Sequence, residues 1–300
     1  MTQKMVDSLI RAGFRGTADS EIPLAPLTTW RIGGPAEMLA TPASREDLRI
    51  ALDYADKHDI PWRVLGNGSN LLISDEGVRG LVLRMRRVLD SVEVSEDGLT
   101  AGAGASFPAV ARRAAREGLS GLEFGAGIPG TLGGAVVMNA GWHDFEIGAS
   151  IESVDYLDPR GEPRRIVPDA TTFAYRDSWF RGRAGIVTGL TLRLRPGEPE
   201  EIRERMERFA ESRKLNQPTE LASCGSVFLK PEGDFAGRLI DQAGLKGLRE
   251  GAIEISHKHA NFFVNTGGGT AADVLRLVER VEAVVEERFG VRLVREFESW

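Results

Sequence analysis

The spacing of apolar residues predicts most of the helices in this 300-residue chain. In several stretches these residues recur every three or four positions, which places them on one face of a helix. Ser44 and Thr270 stand where a side-chain oxygen caps a helix, and Asp47 and Asp273 complete two capping boxes. We expect a short helix within 1–27, helices that begin at Ser44 and Thr270, and helices over 106–118, 199–215 and 235–243.

Alternation of apolar and polar residues predicts the strands. Leu190, Leu192 and Leu194 alternate with Thr191 and Arg193, as a strand with one buried face requires. We expect strands over 28–32, 63–65, 80–85, 151–157, 186–194 and 261–265. The mixture of short strands and intervening helices predicts an α+β protein.

Breaks in these patterns suggest three domains, at 1–86, 87–197 and 198–300. Pro196 and Gly197 mark the clearest boundary, because they follow the longest predicted strand and precede a charged helix. Each of the first two domains contains one glycine-rich loop. We expect an extended cofactor to lie in a cleft to which both loops contribute.

The longer glycine-rich stretch, GLEFGAGIPGTLGGAVVMNAG, runs from Gly121 to Gly141, and Glu123 is its only ionisable residue. So many glycines predict irregular backbone rather than a helix, with N–H groups open to an anionic or flat polar ligand. The alternative is a loop that only packs between strands. The shorter stretch, LGNGSNLLI, spans Leu65–Ile73 and ends a predicted strand.

Common nucleotide and hydrolase motifs are missing from these loops. Neither stretch contains the G-x-G-x-x-G that opens a dinucleotide-binding helix, and the sequence has no G-K-[ST] phosphate loop or G-x-S-x-G elbow. A dinucleotide fold of the usual kind, a P-loop enzyme and a serine hydrolase are therefore poor interpretations.

Composition limits the partners and the cellular location that the protein can have. The formal charge of −6 argues against nucleic acid or an anionic membrane as partner, and no apolar run approaches the roughly 18 residues of a membrane span. The N-terminal residues lack the features of a signal peptide, and one cysteine, Cys224, cannot form an internal disulfide or a multi-thiolate zinc site. We expect a cytoplasmic, metal-free monomer.

Six ordered motifs resemble the UDP-N-acetylenolpyruvoylglucosamine reductases, flavin enzymes of the two-lobed, PCMH-like FAD-binding superfamily that act in peptidoglycan precursor synthesis. The motifs are RIGGPA at 31–36, LGNGSNLL at 65–72, GIPGTLGGAVVMNAG at 127–141, YRDS at 175–178, CGSVF at 224–228 and KHANF at 258–262. The resemblance extends over most of the chain. The 300-residue length of the chain suggests the compact subtype without an inserted tyrosine loop.

The resemblance implies non-covalent FAD, NADPH as reductant and a UDP-sugar enolpyruvate as substrate, bound partly by the C-terminal domain. Such a reaction needs an anion-stabilising group, for which the fork of an arginine is suited, and a general acid. The matching catalytic residues are Arg176, Ser226 and Glu296, and the sequence leaves open whether Ser226 or Glu296 delivers the proton. Cofactor contacts are expected at Gly66, Asn67, Gly68, Ser69, Asn70, Leu71, Gly127, Ile128, Pro129, Thr131, Gly133, Gly134, Asn139 and Gly141, and substrate contacts at Tyr175, Lys230, His259 and Asn261.

The sequence departs from the family pattern at a few positions. Arg295 replaces a proline before the glutamate, and Glu298 replaces an arginine after it. Asn216 replaces a lysine and Leu229 interrupts the usual run after Ser226, so Lys230 or Lys214 is the candidate diphosphate contact.

Two other functions fit parts of the pattern. A flavin-dependent alcohol oxidase of the same superfamily would often tether FAD covalently, and His143 is the nearest candidate tether. A non-catalytic nucleotide-binding protein would keep the loops without the chemistry. The joint presence of Arg176, Ser226 and Glu296 argues against the second alternative.

Overall fold

The computed structural model describes residues 2–96, 98–183 and 185–300. Its helices are α1 (Thr2–Arg11), α2 (Arg45–Lys57), α3 (Phe107–Arg116), α4 (Leu132–Val137), α5 (Pro199–Asn216), α6 (Ala236–Gln242) and α7 (Ala271–Phe289). Short 3-10 turns cover Ala25–Leu27, Glu123–Gly127 and Ile147–Ser150.

The strands are numbered in chain order. They are β1 (Thr17–Pro23), β2 (Pro35–Thr41), β3 (Trp62–Leu65), β4 (Leu71–Leu72), β5 (Val78–Arg84), β6 (Val92–Ser95), β7 (Gly98–Gly102), β8 (Leu119–Ser120), β9 (Gly141–Trp142), β10 (Phe145–Glu146), β11 (Ile151–Leu157), β12 (Pro163–Ile166), β13 (Phe173–Ala174), β14 (Asp177–Ser178), β15 (Ile186–Arg193), β16 (Arg195–Pro196), β17 (Arg249–Glu250), β18 (Ile253–Ile255), β19 (Phe263–Asn265) and β20 (Glu298–Ser299).

Residue contacts divide the chain into two compact units. The first unit comprises the chain up to Glu21, Glu37–Asn67 and Arg79–Glu211, and the second comprises Ile22–Ala36, Gly68–Val78 and Ser212–Trp300. The division at 1–86, 87–197 and 198–300 stays a prediction.

The first unit is organised around two sheets. An antiparallel sheet has the strand order β12-β11-β15-β7-β6, and a four-stranded sheet has the order β1-β2-β5-β3 with β3 and β5 parallel. Helix α3 packs on the former through buried Phe107, Val110 and Ala114, and helix α2 packs in the core of the latter through Leu48 and Leu52.

The second unit has a small sheet, β17-β18-β19, and the long helix α7. Its core joins residues far apart in the sequence: Trp30 is fully buried and donates through Nε1 to the carbonyl of Phe263 at 2.9 Å. The capping box at Thr270 and Asp273 is formed, and Asp75 also accepts the N–H groups of Ala271 and Ala272. This carboxylate therefore ties the 74–77 loop to the start of α7.

Most predicted elements are confirmed. Helices α2, α3, α5, α6 and α7 and strands β3, β5, β11 and β15 lie where the patterns placed them, give or take a few residues. Ser44 caps α2 as expected, but Asp47 accepts the N–H groups of Ala43 and Arg15 and not that of Ser44.

Two further predictions are wrong. Residues 28–32 form no strand, because Trp30 turns inward to the core of the second unit and Arg31 adopts a positive φ of 57°. Residues 132–137, in the glycine-rich stretch, form helix α4, because the Oγ1 of Thr131 accepts the N–H of Gly134 and starts the helix despite two glycines.

Candidate functional site

The two glycine-rich loops meet within the first unit at Gly66 and Thr131. A Cβ atom on Gly66 would lie 2.6 Å from the Oγ1 of Thr131, closer than atoms can pack. Gly66 is therefore needed for the two loops to approach each other. The same Oγ1 caps α4, so the start of this helix is fixed beside the shorter loop.

Backbone hydrogen bonds hold the start of α4 in place. Leu132 and Gly133 donate to the carbonyls of Ala105 and Ala103 at 2.9 and 2.8 Å, and a Cβ on Gly133 would crowd Ala103. Gly134 is different, because it is exposed and a Cβ there would meet only Thr131 Oγ1, at 3.4 Å. It leaves a backbone surface open to a ligand.

This part of the first unit fits a phosphorylated cofactor. Where the structure describes the chain, the N–H groups of Gly66 and Asn67 donate to no protein acceptor. Free amides beside a surface without side chains are what an anionic dinucleotide requires. Ile128 follows the 3-10 turn that ends at Gly127, and Pro129 beside it is exposed.

The rest of the shorter loop belongs to the second unit, and its residues have structural partners. A Cβ on Gly68 would lie 2.6 Å from the carbonyl oxygen of Leu27, so this glycine permits close packing of the unit's own backbone. Asn70 donates through Nδ2 to the carbonyl of Glu296 at 3.1 Å and accepts the N–H of Glu298. Leu71 pairs with Glu298 in the β4–β20 ladder, and Ser69 is half-buried.

Arg176 lies at the tip of a tight hairpin in the first unit. Strands β13 and β14 pair Phe173 with Ser178 and Ala174 with Asp177, which leaves only Tyr175 and Arg176 in the turn. Arg176 has a positive φ of 53°, uncommon for a residue other than glycine. The Oγ of Ser178 donates to the carbonyl of Val137 at 2.8 Å and ties the hairpin to the end of α4.

The guanidinium of Arg176 is held by the last residue of the glycine-rich stretch and by Glu146, which follows that stretch. Its Nη2 donates to the carbonyl of Gly141 at 2.9 Å, and its Nη1 lies 3.2 Å from Oε1 of Glu146. Asn139, which is buried, donates from Nδ2 to Glu146 Oε2 and to the carbonyl of Ala174, each at 2.8 Å. Tyr175 is about half exposed and its ring lies under the guanidinium at 5.0 Å.

Ser226 and Glu296 lie on neighbouring antiparallel segments of the second unit. Glu296 donates its N–H to the carbonyl of Val227, Leu229 donates to the carbonyl of Val294, and Phe228 bridges to Arg295. Burial, together with the charge of Glu296, raises the pKa of Cys224 well above its usual range. The backbone of Glu296 is hydrogen-bonded to the segment that carries Ser226.

Asn261 braces the Ser226 segment with its side chain. It is buried, its Oδ1 accepts the N–H of Phe228 at 3.0 Å, and its Nδ2 donates to the carbonyl of the same residue at 2.8 Å. Because both ends of the amide are occupied, Asn261 acts on Ser226 through the backbone. Its backbone carbonyl also accepts the N–H of Val227 at 2.9 Å, beside the antiparallel bridge between Ser226 and Phe262.

His259 and Lys230 are placed differently from Asn261. His259 accepts the N–H of Asn261 through Nδ1 at 3.2 Å, which leaves a hydrogen on Nε2. Burial, with a smaller effect of Lys246, lowers the pKa of His259 below its ordinary 6.5, so the ring is neutral at pH 7. Lys230 is exposed, with Nζ 4.6 Å from the ring centre of Phe235.

One departure from the family pattern has a structural explanation. Arg295 donates through Nε and Nη2 to both carboxylate oxygens of Glu282 on α7, at 2.7 and 2.8 Å. This bidentate pair anchors the segment that carries Glu296 to the longest helix of the second unit.

Sequence reasoning missed Glu146, and the ligand contacts expected at the asparagines stay predictions. Glu146 stands in WHDFEIGAS, outside every motif, and nothing in the sequence distinguishes it from Asp144 two positions earlier. The amides of Asn70, Asn139 and Asn261 each bind protein backbone, which a sequence cannot display.

Comparison with known proteins shows to which class of protein this chain belongs. Residues 36–166 match the FAD binding domain, and residues 217–300 match the UDP-N-acetylenolpyruvoylglucosamine reductase C-terminal domain. Together with the geometry at Gly66, Thr131 and Gly134, this makes the chain an FAD-binding oxidoreductase of α+β architecture. No described helix is long and apolar enough to cross a membrane.

Relatives define the family. The reductase of Rubrobacter xylanophilus is 47% identical over 90% of this chain and 91% of its own, and that of Halalkalibacterium halodurans is 39% identical over 99% and 98%. The crystal structure of the Thermus caldophilus enzyme is 41% identical and superimposes with a TM-score of 0.80 over 96% of this chain and 99% of that one. The chain belongs to the UDP-N-acetylenolpyruvoylglucosamine reductase family.

Proposed function

We propose that this protein reduces the enolpyruvyl double bond of UDP-N-acetylglucosamine enolpyruvate to give UDP-N-acetylmuramate, in the synthesis of peptidoglycan precursors. NADPH is the reductant, and a proton completes the reduction. The observation that carries the proposal is the match to both family domains, in a chain that aligns over 90% of its length with a reductase of this family. The chain also contains Arg176, Ser226 and Glu296 at the positions of the family motifs.

Bound FAD would supply the hydride chemistry that links NADPH to one carbon of the substrate double bond. Gly66, Asn67, Thr131 and Gly134 would hold it, because they combine free backbone N–H groups with a surface that lacks side chains. The neighbouring loop residues expected to contact it are Gly68, Ser69, Leu71, Gly127, Ile128, Pro129, Gly133 and Gly141. Asn70 and Asn139 support these loops from within the protein.

Arg176 binds the substrate carboxylate in this proposal. Negative charge grows on that carboxylate as the double bond accepts hydride, and a fixed guanidinium fork stabilises it without reorganising. The hairpin and the Gly141 carbonyl keep the guanidinium in place before the substrate arrives. Tyr175, Lys230 and His259 are the further substrate contacts, with the Nε2 hydrogen of His259 available as a donor.

Ser226 and Glu296 supply the proton. A serine hydroxyl is a weak acid and needs a neighbouring group to replace its proton. Glu296 is the neighbour that the backbone pairing near Val227 provides. We assign the hydroxyl of Ser226 as the donor to carbon and Glu296 as the residue that supports it.

The purified protein tests this function directly. It should be yellow, release its flavin in acid, and oxidise NADPH only when the enolpyruvyl substrate is added. Flavin that stays with the denatured chain, together with oxidation of alcohols, would favour the oxidase alternative with His143 as tether. A colourless protein that binds UDP-sugars without turnover would favour the non-catalytic alternative.

The same proposal includes a cytoplasmic monomer that acts on a small molecule, without nucleic acid or membrane as partner. The net charge of −6 is unfavourable for binding polyanions. Light scattering at micromolar concentration measures the mass, for which the chain alone gives 32.7 kDa. Twice that mass would contradict the monomer.

A further inference from the structure

The conformation of Arg176 requires support from the rest of the first unit. A left-handed backbone costs a residue with a side chain about 1–2 kcal/mol, and Arg176 adopts it at a turn of two residues. A long side chain at such a tip would ordinarily sample many rotamers. Its exposed fraction of only 14% shows that this one is confined.

Gly141 and Glu146 both confine the guanidinium. The carbonyl of Gly141 holds Nη2, and the carboxylate of Glu146 holds Nη1. Gly141 and Glu146 face each other across the β9–β10 pair. The two acceptors therefore form one rigid edge against which the fork is aligned.

Glu146 is itself fixed by Asn139. The Nδ2 of Asn139 donates to Oε2 of Glu146 and to the carbonyl of Ala174, while its Oδ1 accepts the N–H of Gly148 at 3.0 Å. Ala174 directly precedes the turn that carries Arg176. The buried amide of Asn139 thus fixes the position of the Glu146 carboxylate and also that of the backbone of the Arg176 hairpin.

The negative charge of Glu146 is opposite to what a site for a substrate carboxylate needs. A carboxylate beside Arg176 weakens the positive field that attracts a substrate carboxylate, so for binding alone its presence is unfavourable. Its position at hydrogen-bond distance from Arg176 points to a benefit in geometry. A misplacement of about 1 Å in a group that meets the reacting centre can lower a rate by about 100-fold.

We propose that Glu146 is a positioning residue that orients Arg176 toward the substrate carboxylate, and that Asn139 fixes Glu146 in turn. The inference rests on the proposed function, in which Arg176 binds that carboxylate. It assigns to Asn139 a role in the arginine hairpin in place of a cofactor contact.

Glu146→Gln separates orientation from binding, because it removes the charge at nearly constant volume. The amide cannot accept from both Arg176 and Asn139, so the fork loses its alignment. We expect kcat to fall by about 10- to 100-fold while KM for the enolpyruvyl substrate stays equal or falls, because the competing anion is gone. Flavin reduction by NADPH and FAD content should match the parent.

Glu146→Asp keeps the charge but withdraws the carboxylate by one methylene. We expect an intermediate loss of kcat with no fall in KM. If this variant equals the parent while Glu146→Gln is slow, charge alone matters and the positioning role is overturned. Asp155→Asn is the matched control, because it removes a comparable arginine partner, that of Arg165, on the surface of the same unit; it should leave turnover unchanged.

A double-mutant cycle with Arg176→Lys completes the test. If Glu146 acts through Arg176, Glu146→Gln should slow the Arg176→Lys enzyme far less than it slows the parent. Equal fold-losses in both backgrounds, or loss of FAD on Glu146→Gln, would overturn the inference alone. An Arg176→Lys enzyme that reduces substrate at the parent rate would instead overturn the assigned role of Arg176, and the inference with it.

Discussion

Arg176 is the residue where charge and shape can be separated most cleanly. Arg176→Lys keeps a positive charge but loses the fork that meets Gly141, Glu146 and a carboxylate together. We expect reoxidation of reduced flavin by substrate to slow by about 100-fold or more, with flavin reduction by NADPH nearly intact. Stopped-flow measurement of both half-reactions checks this, and an equal loss in both would mean that Arg176 mainly supports the fold.

Ser226 is the residue that tests the proton. Ser226→Ala removes only a hydroxyl, and Asn261 continues to brace the segment through Phe228. Reoxidation by substrate should fall by about 100-fold, flavin reduction should survive, and Ser226→Cys should recover part of the rate because a thiol is the stronger acid. An alanine variant that reoxidises at the parent rate would move the proton to Glu296.

Single residues also show how far a sequence can identify a site. Arg176, Ser226 and Glu296 were named from motifs, and the structure gives each a defined support. The roles of Asn70, Asn139 and Asn261 could not be predicted, because an amide has the same chemistry whether it meets a ligand or a carbonyl. Glu146 was invisible because its partner, Arg176, lies 30 positions away in the sequence.

In the two glycine-rich loops, some glycines are needed for close packing of the protein's own backbone, and others leave a surface open to a ligand. Gly134 faces open space, so Gly134→Val should give a folded protein that binds FAD at least tenfold more weakly, since the new side chain occupies the backbone surface proposed for the cofactor. Gly68→Ala is the comparison, because its Cβ would press on Leu27 and the left-handed φ is strained; it should lower the melting temperature. Tight FAD binding by Gly134→Val would refute the cradle.

Elements with strong local signals were predicted well, and those set by distant contacts were not. The α7 helix has a capping box and a continuous apolar stripe, so its start was clear. Strand β1 has an alternating half-exposed pattern and hardly any apolar residues, which gave the sequence no signal. Helix α4 contains consecutive glycines, and only the cap at Thr131 and the carbonyls of Ala103 and Ala105 explain why it forms.

At the scale of the whole molecule, the α+β class followed from the patterns, whereas the grouping of segments did not. Residues 22–36 and 68–78 are early in the chain yet belong with 212–300. Trp30 illustrates the reason, since its Nε1 donates to a carbonyl 233 positions away. Hydrophobicity predicts that such a residue is buried but carries no information about which core receives it.

The stability of the first unit should depend on pH through Glu123, which joins helix α5 to the glycine-rich stretch. Its carboxylate accepts from Ser120 Oγ, the Gly121 N–H and Arg205 Nε at 2.8, 2.8 and 3.0 Å. Burial acts to raise the pKa of Glu123, but these hydrogen bonds outweigh it and hold the pKa below its ordinary 4.5. The ionised form therefore stabilises the fold above pH 4.5, and this contribution is lost as the pH falls through the lowered value.

Glu123→Gln should accordingly destabilise the protein at pH 7 by about 1–3 kcal/mol, the usual effect of losing hydrogen bonds to a buried charge. The difference from the parent should shrink as the pH falls below 4.5, because the parent carboxyl then becomes neutral as well. Glu46→Gln is the control: its partner Arg49 is exposed on α2, where solvent screens the pair, and it should have little effect at either pH. Thermal unfolding between pH 3.5 and 7 measures both variants. A Glu123→Gln deficit that is the same at every pH would show that shape, and not the ionised carboxylate, holds α5 to the glycine-rich stretch.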